Sequence, residues 1–347
     1  MTLTQLRYLV AIVDAGLNIT QAAERVHATQ PGLSKQLKQL EDELGFQIFV
    51  RRGRSLARIA PAGERIVAHA RRVLDEVANI RSYAANERGS HSGRLCLATT
   101  HTQARYVLPP VIARVRQAFP RVDVDLQVAG DAEVLARLEQ ADLALISTAG
   151  PEPQAGLAVP LYRWRRVLLV PRAHPLARLR RAPTLAELGA HPLISYESSN
   201  RADSSLQRAF AAAGVQPQLA MTARDANLIK TYVRAGLGAG LLAEMAVLAE
   251  DAADLQPLPA PPELPDCITW AVLPRGRVLR DYALQLLQAL APQLDARDLR
   301  RVLEGHQAPH WPAPPPWPAT RTAPAAAEAA AGARRPRPAP AVPRARA

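Results

Sequence analysis

Residues 18–44 read Asn-Ile-Thr-Gln-Ala-Ala-Glu-Arg-Val-His-Ala-Thr-Gln-Pro-Gly-Leu-Ser-Lys-Gln-Leu-Lys-Gln-Leu-Glu-Asp-Glu-Leu. The spacing predicts two short helices meeting at a tight turn. Ile19, Ala22 and Val26 make an apolar stripe on the first helix, and the small side chains of Ala22 and Ala23 let a second helix cross it closely. The turn falls at residues 26–29. Thr29 is placed to cap the second helix, Pro31 fits a first turn in which an N–H is not needed, and Leu33, Leu37 and Leu40 form the buried stripe. Thr29, Gln30, Pro31, Ser34, Lys35 and Lys38 are then left for the outer face. Glutamine pairs with an adenine edge, lysine with guanine or phosphate, and serine with either, so this face has the chemistry of a major-groove reader. Gly32 has no side chain to hold the helix backbone away from a duplex. A plain helical hairpin with a solvated polar face is the alternative.

The flanking sequence extends this reading. Gly45 to Val50 alternates as a short strand, and Arg51-Arg52-Gly53-Arg54 makes a basic turn into a second strand ending at Ile59, a two-stranded wing. Arg51, Arg52 and Arg54 would meet phosphates or reach a narrow minor groove; an ordinary basic hairpin would carry the same residues. Residues 1–60 are therefore expected to form an α-rich winged helix-turn-helix that binds DNA. From Pro61, the residues Ile66, Ala70, Val73, Val77, Ile80 and Ala84 follow one another at spacings of 4, 3, 4, 3 and 4, a narrow heptad seam. A second copy of the same helix would bury it, giving a homodimer; packing on the chain's own domain is the alternative. Residues 61–90 thus read as a linker and dimerisation helix, with Glu87 to Gly93 as a hinge.

From Arg94 the texture becomes α/β. Strands are expected at 95–98, 122–128, 143–146, 166–170, 193–196, 240–243 and 268–273, with helices between them, and the last strand could return to the first sheet. Residues 91–298 then form two subdomains about a cleft, resembling a periplasmic binding protein. The first comprises about 91–162 and 268–298, the second about 163–267, and the sheets are expected to be mainly parallel. Three strand ends are followed by hydroxyls, at Thr99-Thr100-His101-Thr102-Gln103, Ser147-Thr148 and Ser198-Ser199. Such donors at strand ends suit a small anion.

The 347 residues carry a formal net charge of +12, but six arginines against one carboxylate in 306–347 supply a large part of it. The two cysteines, Cys96 and Cys267, give neither a disulfide framework nor a metal cluster, and fit a reducing cytoplasm. No signal peptide or apolar run long enough to span a membrane is seen. Gly236-Leu237-Gly238-Ala239-Gly240 follows a helical pattern and precedes a strand, the reverse of a phosphate-binding loop, and reads as a helix C-cap and turn. No metal, cofactor or catalytic constellation is expected, so an enzyme is a distant alternative; a small-anion binding protein of transport type would need an export signal.

Gln5 to Leu9, Ala22-Ala23-Glu24, Gln30 to Gln36, Leu40 to Gly45 and Pro61-Ala62-Gly63 resemble a LysR-type transcriptional regulator over about residues 1–298. Ala98 to Tyr106 and Ile229 to Gly238 look like the CysB subfamily, which controls sulfur assimilation and cysteine biosynthesis. That resemblance implies a cytoplasmic homotetramer built from dimers, promoter DNA and RNA polymerase as partners, N-acetylserine or O-acetylserine as inducer, and sulfate or thiosulfate as a competing anion. It implies Thr100, Thr102, Gln103, Ser147 and Trp164 as ligand residues. It puts Arg201 where the subfamily has a threonine, within Arg201-Ala202-Asp203-Ser204, so this side of the pocket has different donors and a regulator of another pathway sensing another small carboxylate is the alternative. Ligand closure of the cleft would bias how the DNA-binding domains are arranged. The tail from 299, rich in Pro, Ala and Arg beyond His306, is expected to stay unfolded.

Overall fold

The computed structural model describes residues 1–53 and 55–317; wing-tip Arg54 and the tail beyond Trp317 lie outside the described residues. The N-terminal domain consists of α1 (Leu3–Asp14), α2 (Ile19–Arg25), α3 (Gln30–Leu44), β1 (Phe49–Arg52) and β2 (Ser55–Ile59). Thr29 Oγ1 accepts the Gly32 N–H at 3.2 Å and so caps α3. Leu33, Leu37 and Leu40 are buried against Leu9, Ile12 and Ala22, placing the helix-turn-helix core on the expected residues. The first wing strand begins at Phe49 rather than Gly45, because Gly45 ends α3 in the left-handed conformation, with φ of 77°, and Phe46-Gln47 is spent on the turn out of it.

The long helix α4 (Pro61–Glu87) divides the expected seam. Its inner stripe is Gly63, Val67, Ala70 and Leu74, which packs on the winged domain. Ala70 therefore belongs to this chain's own core, whereas Val73 and Ile80 stay 41% and 67% exposed beside exposed Tyr83. Farther along, Asn79 donates to Gly276 O at 2.7 Å and accepts from the Val278 N–H at 2.9 Å, which fastens α4 to the next domain.

That domain has two sheets. The first is built from β3 (Ser92–Thr99), α5 (His101–Tyr106), α6 (Leu108–Ala118), β4 (Arg121–Val128), α7 (Asp131–Ala136), β5 (Leu143–Thr148) and β6 (Leu157–Trp164). The second contains β7 (Arg166–Pro171), α8 (Leu185–Gly189), β8 (Pro192–Tyr196), α9 (Ser205–Ala212), β9 (Gln218–Ala223), α10 (Ala226–Arg234), β10 (Ala239–Ala243) and β11 (Leu255–Pro259). The chain returns as β12 (Cys267–Leu273), followed by α11 (Asp281–Leu290) and α12 (Ala296–Leu303).

The strand orders are β4-β3-β5-β12-β6 and β11-β7-β10-β8-β9. Three strands of each sheet are parallel, and the remaining two join antiparallel. Strand β12 pairs with β5, with Thr269 opposite Ser147, so the expected return to the first sheet occurs. Gly236, at φ of 79°, ends α10 before β10 begins, as expected for a C-cap and turn. Among the described residues no helix is long and apolar enough to cross a membrane.

The expectation that the chain is unfolded from 299 onward does not hold for 299–317. Asp295 caps α12, whose Leu299 is fully buried. Residues 311–317 then run along β6: Arg163 N–H donates to Pro315 O at 2.8 Å and Trp317 N–H to Arg163 O at 2.7 Å. Two tryptophans give this segment the apolar area that its average composition lacks: Trp317 joins the core of the first sheet and Trp311 packs against it.

Candidate DNA interface and effector site

Thr29, Gln30, Pro31, Lys35 and Lys38 lie exposed on one side of α3, and Ser34 is half-buried among them. Gln30 Nε2 donates to Ser34 Oγ at 3.2 Å, so the two present a joined polar pair. Gly32 has a packing role as well, since a Cβ there would meet Thr29 Oγ1 at 2.9 Å. In the wing, Arg52 is exposed, but Arg51 is partly committed: its guanidinium donates to Glu41 Oε2 at 3.0 Å.

Sequence reading passed over Glu41, which looks like one carboxylate in an acidic run. It is buried, and its other oxygen accepts the Ile48 N–H at 2.9 Å. One side chain therefore fixes the wing to the reading helix. Glu41→Ala is expected to cost about 2–3 kcal/mol, because a buried N–H and a guanidinium lose a charged acceptor, and to weaken DNA binding. Urea unfolding with a gel-shift titration measures both; unchanged values would remove Glu41 from this role.

The second site is a polar cluster where α5 meets β5, β6 and β12. Gln103 is buried and aims its amide inward. Its Nε2 donates to Ser147 Oγ and Thr269 Oγ1, each at 3.3 Å, and its Oε1 accepts from the Tyr162 hydroxyl. Trp164 Nε1 donates to Thr269 Oγ1 at 3.0 Å, and Ser147 Oγ lies 2.9 Å from the same oxygen.

Hydroxyl bookkeeping decides the direction of that last bond. Thr269 already accepts two N–H groups, which uses both lone pairs, so its own proton goes to Ser147. Ser147 then accepts from both Thr269 and Gln103, and among the described residues its own hydroxyl proton has no acceptor. Thr102, also buried, donates to Tyr196 Oη at 3.3 Å across the cleft, and Tyr196 Oη accepts the Ala243 N–H at 3.3 Å. Burial pushes the Tyr196 phenol up, which keeps it a neutral donor. Thr100 is half-buried at the start of α5 and makes no capping bond with its side chain.

Two expected contributions are absent from the cluster. Arg201 is exposed and its guanidinium is held by Asp203, at 3.0 and 2.8 Å. Ser199 is also spent, on Ser195 Oγ at 2.8 Å. Arg201 does act on Asp131 opposite: burial raises that carboxyl, and the guanidinium works against the rise.

The subdomains are bridged beside the cluster by Arg224 to Glu133 at 3.5 Å and Tyr106 Oη to the Asn227 amide at 2.7 Å. A depression of about 210 Å³ opens there, lined by His101, Ala104, Arg105, Val128 and Asp225. Thr269, Tyr162 and Tyr196 escaped sequence reading. Thr269 comes to Ser147 only through the β5–β12 pairing, and Tyr162 lies on a strand that the sequence did not announce.

Residues 3–64 match the family of bacterial regulatory helix-turn-helix proteins of the lysR type, and residues 88–295 match the LysR substrate binding domain. The chain belongs to the LysR family of transcriptional regulators. LysR-type regulators bind promoter DNA, oligomerise and bind small effectors, and the family is one of regulators rather than enzymes. The transcriptional regulator CysB of Haemophilus influenzae is 38% identical over 85% of this chain and 91% of its own length. SsuR of Burkholderia cenocepacia is 35% identical over 87% of this chain and 99% of its own. The cofactor-binding domain of the Cbl regulator superposes with a TM-score of 0.55 at 34% identity, covering 62% of this chain and 95% of that structure.

Proposed function

We propose that this LysR-type regulator controls sulfur-assimilation genes in response to a small anion of the acetylserine or sulfate class, bound at the Gln103 cluster. The Ser147 hydroxyl, held by the Thr269 hydroxyl and the Gln103 amide so that its proton points away from both, in a set of neutral donors, carries this reading. Neutral N–H and O–H donors hold a compact anion without the desolvation cost of burying a cation beside it. Thr100 and Thr102 line the same approach from α5, and Trp164 orients Thr269. Arg201, drawn to Asp203, contributes charge at the rim instead. Two protomers joined through the exposed Val73, Ile80 and Tyr83 face of α4 present two reading helices to one promoter. Anion binding then shifts the balance between two arrangements of those helices and their contact with RNA polymerase.

A mobility-shift titration on a sulfur-gene promoter, with and without N-acetylserine and sulfate, tests this directly. Both anions are expected to change the retarded complex, and Ser147→Ala to weaken their effect about tenfold, the loss of one hydrogen bond to a charged group. No retarded complex at low salt would sink the DNA reading. Retardation indifferent to both anions would sink the sulfur reading and favour a regulator of another small carboxylate.

A further inference from the structure

We propose that residues 304–317 form a positioning strap for the effector site, in which Trp317 clamps Tyr162 and Tyr162 sets the orientation of the Gln103 amide. The proposal rests on the reading of the Gln103 cluster as the effector site. The segment lies beyond residue 295, where the match to the LysR substrate binding domain ends.

Three observations place it. Strand β6 is the edge of the first sheet, and the strap covers that edge with backbone bonds at Pro315 and Trp317 and with Trp311 Nε1 donating to Ala158 O at 2.9 Å. The rings of Trp317 and Tyr162 lie 4.7 Å apart at 56°, both buried, within the range of a favourable aromatic pair. The hydroxyl of that same Tyr162 donates to Gln103 Oε1.

The chemical consequence lies in the amide. Its oxygen and nitrogen are interchangeable in shape but opposite in polarity. While Tyr162 donates to Oε1, Nε2 must face Ser147 and Thr269, and Ser147 keeps its proton for the effector. If Tyr162 moves away, the amide can turn over and present its carbonyl to those hydroxyls. Ser147 would then donate inward, and the site would offer an anion a lone pair in place of a proton.

Calorimetric titration with N-acetylserine and with sulfate decides the matter. Five altered chains are compared: one ending at Gly305, Trp317→Ala, Trp317→Phe, Tyr162→Phe and the Trp317→Ala/Tyr162→Phe double variant. The shortened chain, Trp317→Ala and Tyr162→Phe are each expected to lose about tenfold in anion affinity, the scale of one charge-assisted hydrogen bond. Trp317→Phe keeps the ring contact and should retain the unaltered affinity. Because clamp and hydroxyl act in series, the Trp317→Ala/Tyr162→Phe double variant should bind no worse than either single one. Should the shortened chain fail to fold, the point variants give the same test.

Unaltered affinity in Trp317→Ala overturns the strap and leaves the effector site standing. Losses that add in the double variant overturn it too, since Trp317 would then act by a route other than Tyr162. If the unaltered chain binds neither anion, the effector reading fails and the strap falls with it.

Discussion

Lys230→Met is expected to remove about 3–5 kcal/mol of folding stability from the effector domain, the usual result of stripping the partner from a buried charge. Lys230 and Asp251 have side chains only 3% and 2% exposed, with Nζ 2.8 Å from Oδ2. Asp251 also accepts the Leu248 N–H at 2.9 Å and Arg234 at 2.9 Å. Arg234 would remain after the substitution, so the loss should fall toward the lower end of that range. Lys230→Met/Asp251→Leu removes both charges and should recover much of it. Burial works against the Asp251 charge, but hydrogen bonds from Lys230, Leu248 and Arg234 outweigh it and hold the carboxyl below its usual range. A carboxyl depressed on folding contributes stability that is complete above its unfolded value, about 3.9, and is lost as pH falls through its folded value. Urea unfolding from pH 7 down to the acid limb should therefore show a steeper acid loss in the unaltered chain than in Asp251→Asn. Equal slopes, or a Lys230→Met chain as stable as its parent, would show that the pair is not the scaffold described.

Lys230 and Arg234 also show how far the sequence could be read. They lie in the stretch from Ile229 to Gly238 whose resemblance to a sulfur-regulator subfamily was the more specific signal, yet both charges serve the scaffold under α10. Local signals were legible where local chemistry decides structure: the Thr29 cap, the Leu33–Leu37–Leu40 stripe and the Gly236 turn all depend on residues close in sequence. The strands passed over, β6, β9 and β11, are all edge strands. Two of them carry prolines, Pro160 in β6 and Pro257 and Pro259 in β11, which a strand tolerates only at an edge or a bulge and which read as breakers in sequence. The site failed in the same way. Gln103, Ser147 and Trp164 are hydrogen-bonded through Thr269, a residue 105 positions or more away in the chain from each of them, and no periodicity announces such a pairing. The heptad seam was legible in period but not in partner: two interleaved stripes share α4, and sequence spacing cannot tell which one meets the chain's own core.

Gly63→Ala is expected to destabilise the winged domain by about 2–4 kcal/mol and to abolish tight promoter binding, although an alanine for glycine in a helix is ordinarily favourable by nearly 1 kcal/mol. The sign reverses because a Cβ at Gly63 would stand 2.1 Å from Ile48 O, a backbone atom. That carbonyl cannot yield by rotating a side chain. It is held at 2.8 Å by the Ala60 N–H, while the Ile48 N–H is bound by Glu41 at 2.9 Å. Both sides of Ile48 are thus pinned, one to the start of α4 and one to the reading helix, and α4 would have to lift off the wing. Lifting it moves the inner stripe of Val67 and Ala70 away from their core and changes the angle at which α4 leaves the winged domain. Stability and DNA affinity should therefore fall together, with a drop in melting temperature of roughly 10 °C or more for a unit of this size. Ala62→Gly, one residue earlier on the exposed side of the same turn, should cost under about 1 kcal/mol and leave promoter binding intact. Thermal melts and gel-shift titrations of the two variants side by side provide the comparison. A Gly63→Ala chain that melts with or above its parent would mean that α4 does not approach the wing this closely.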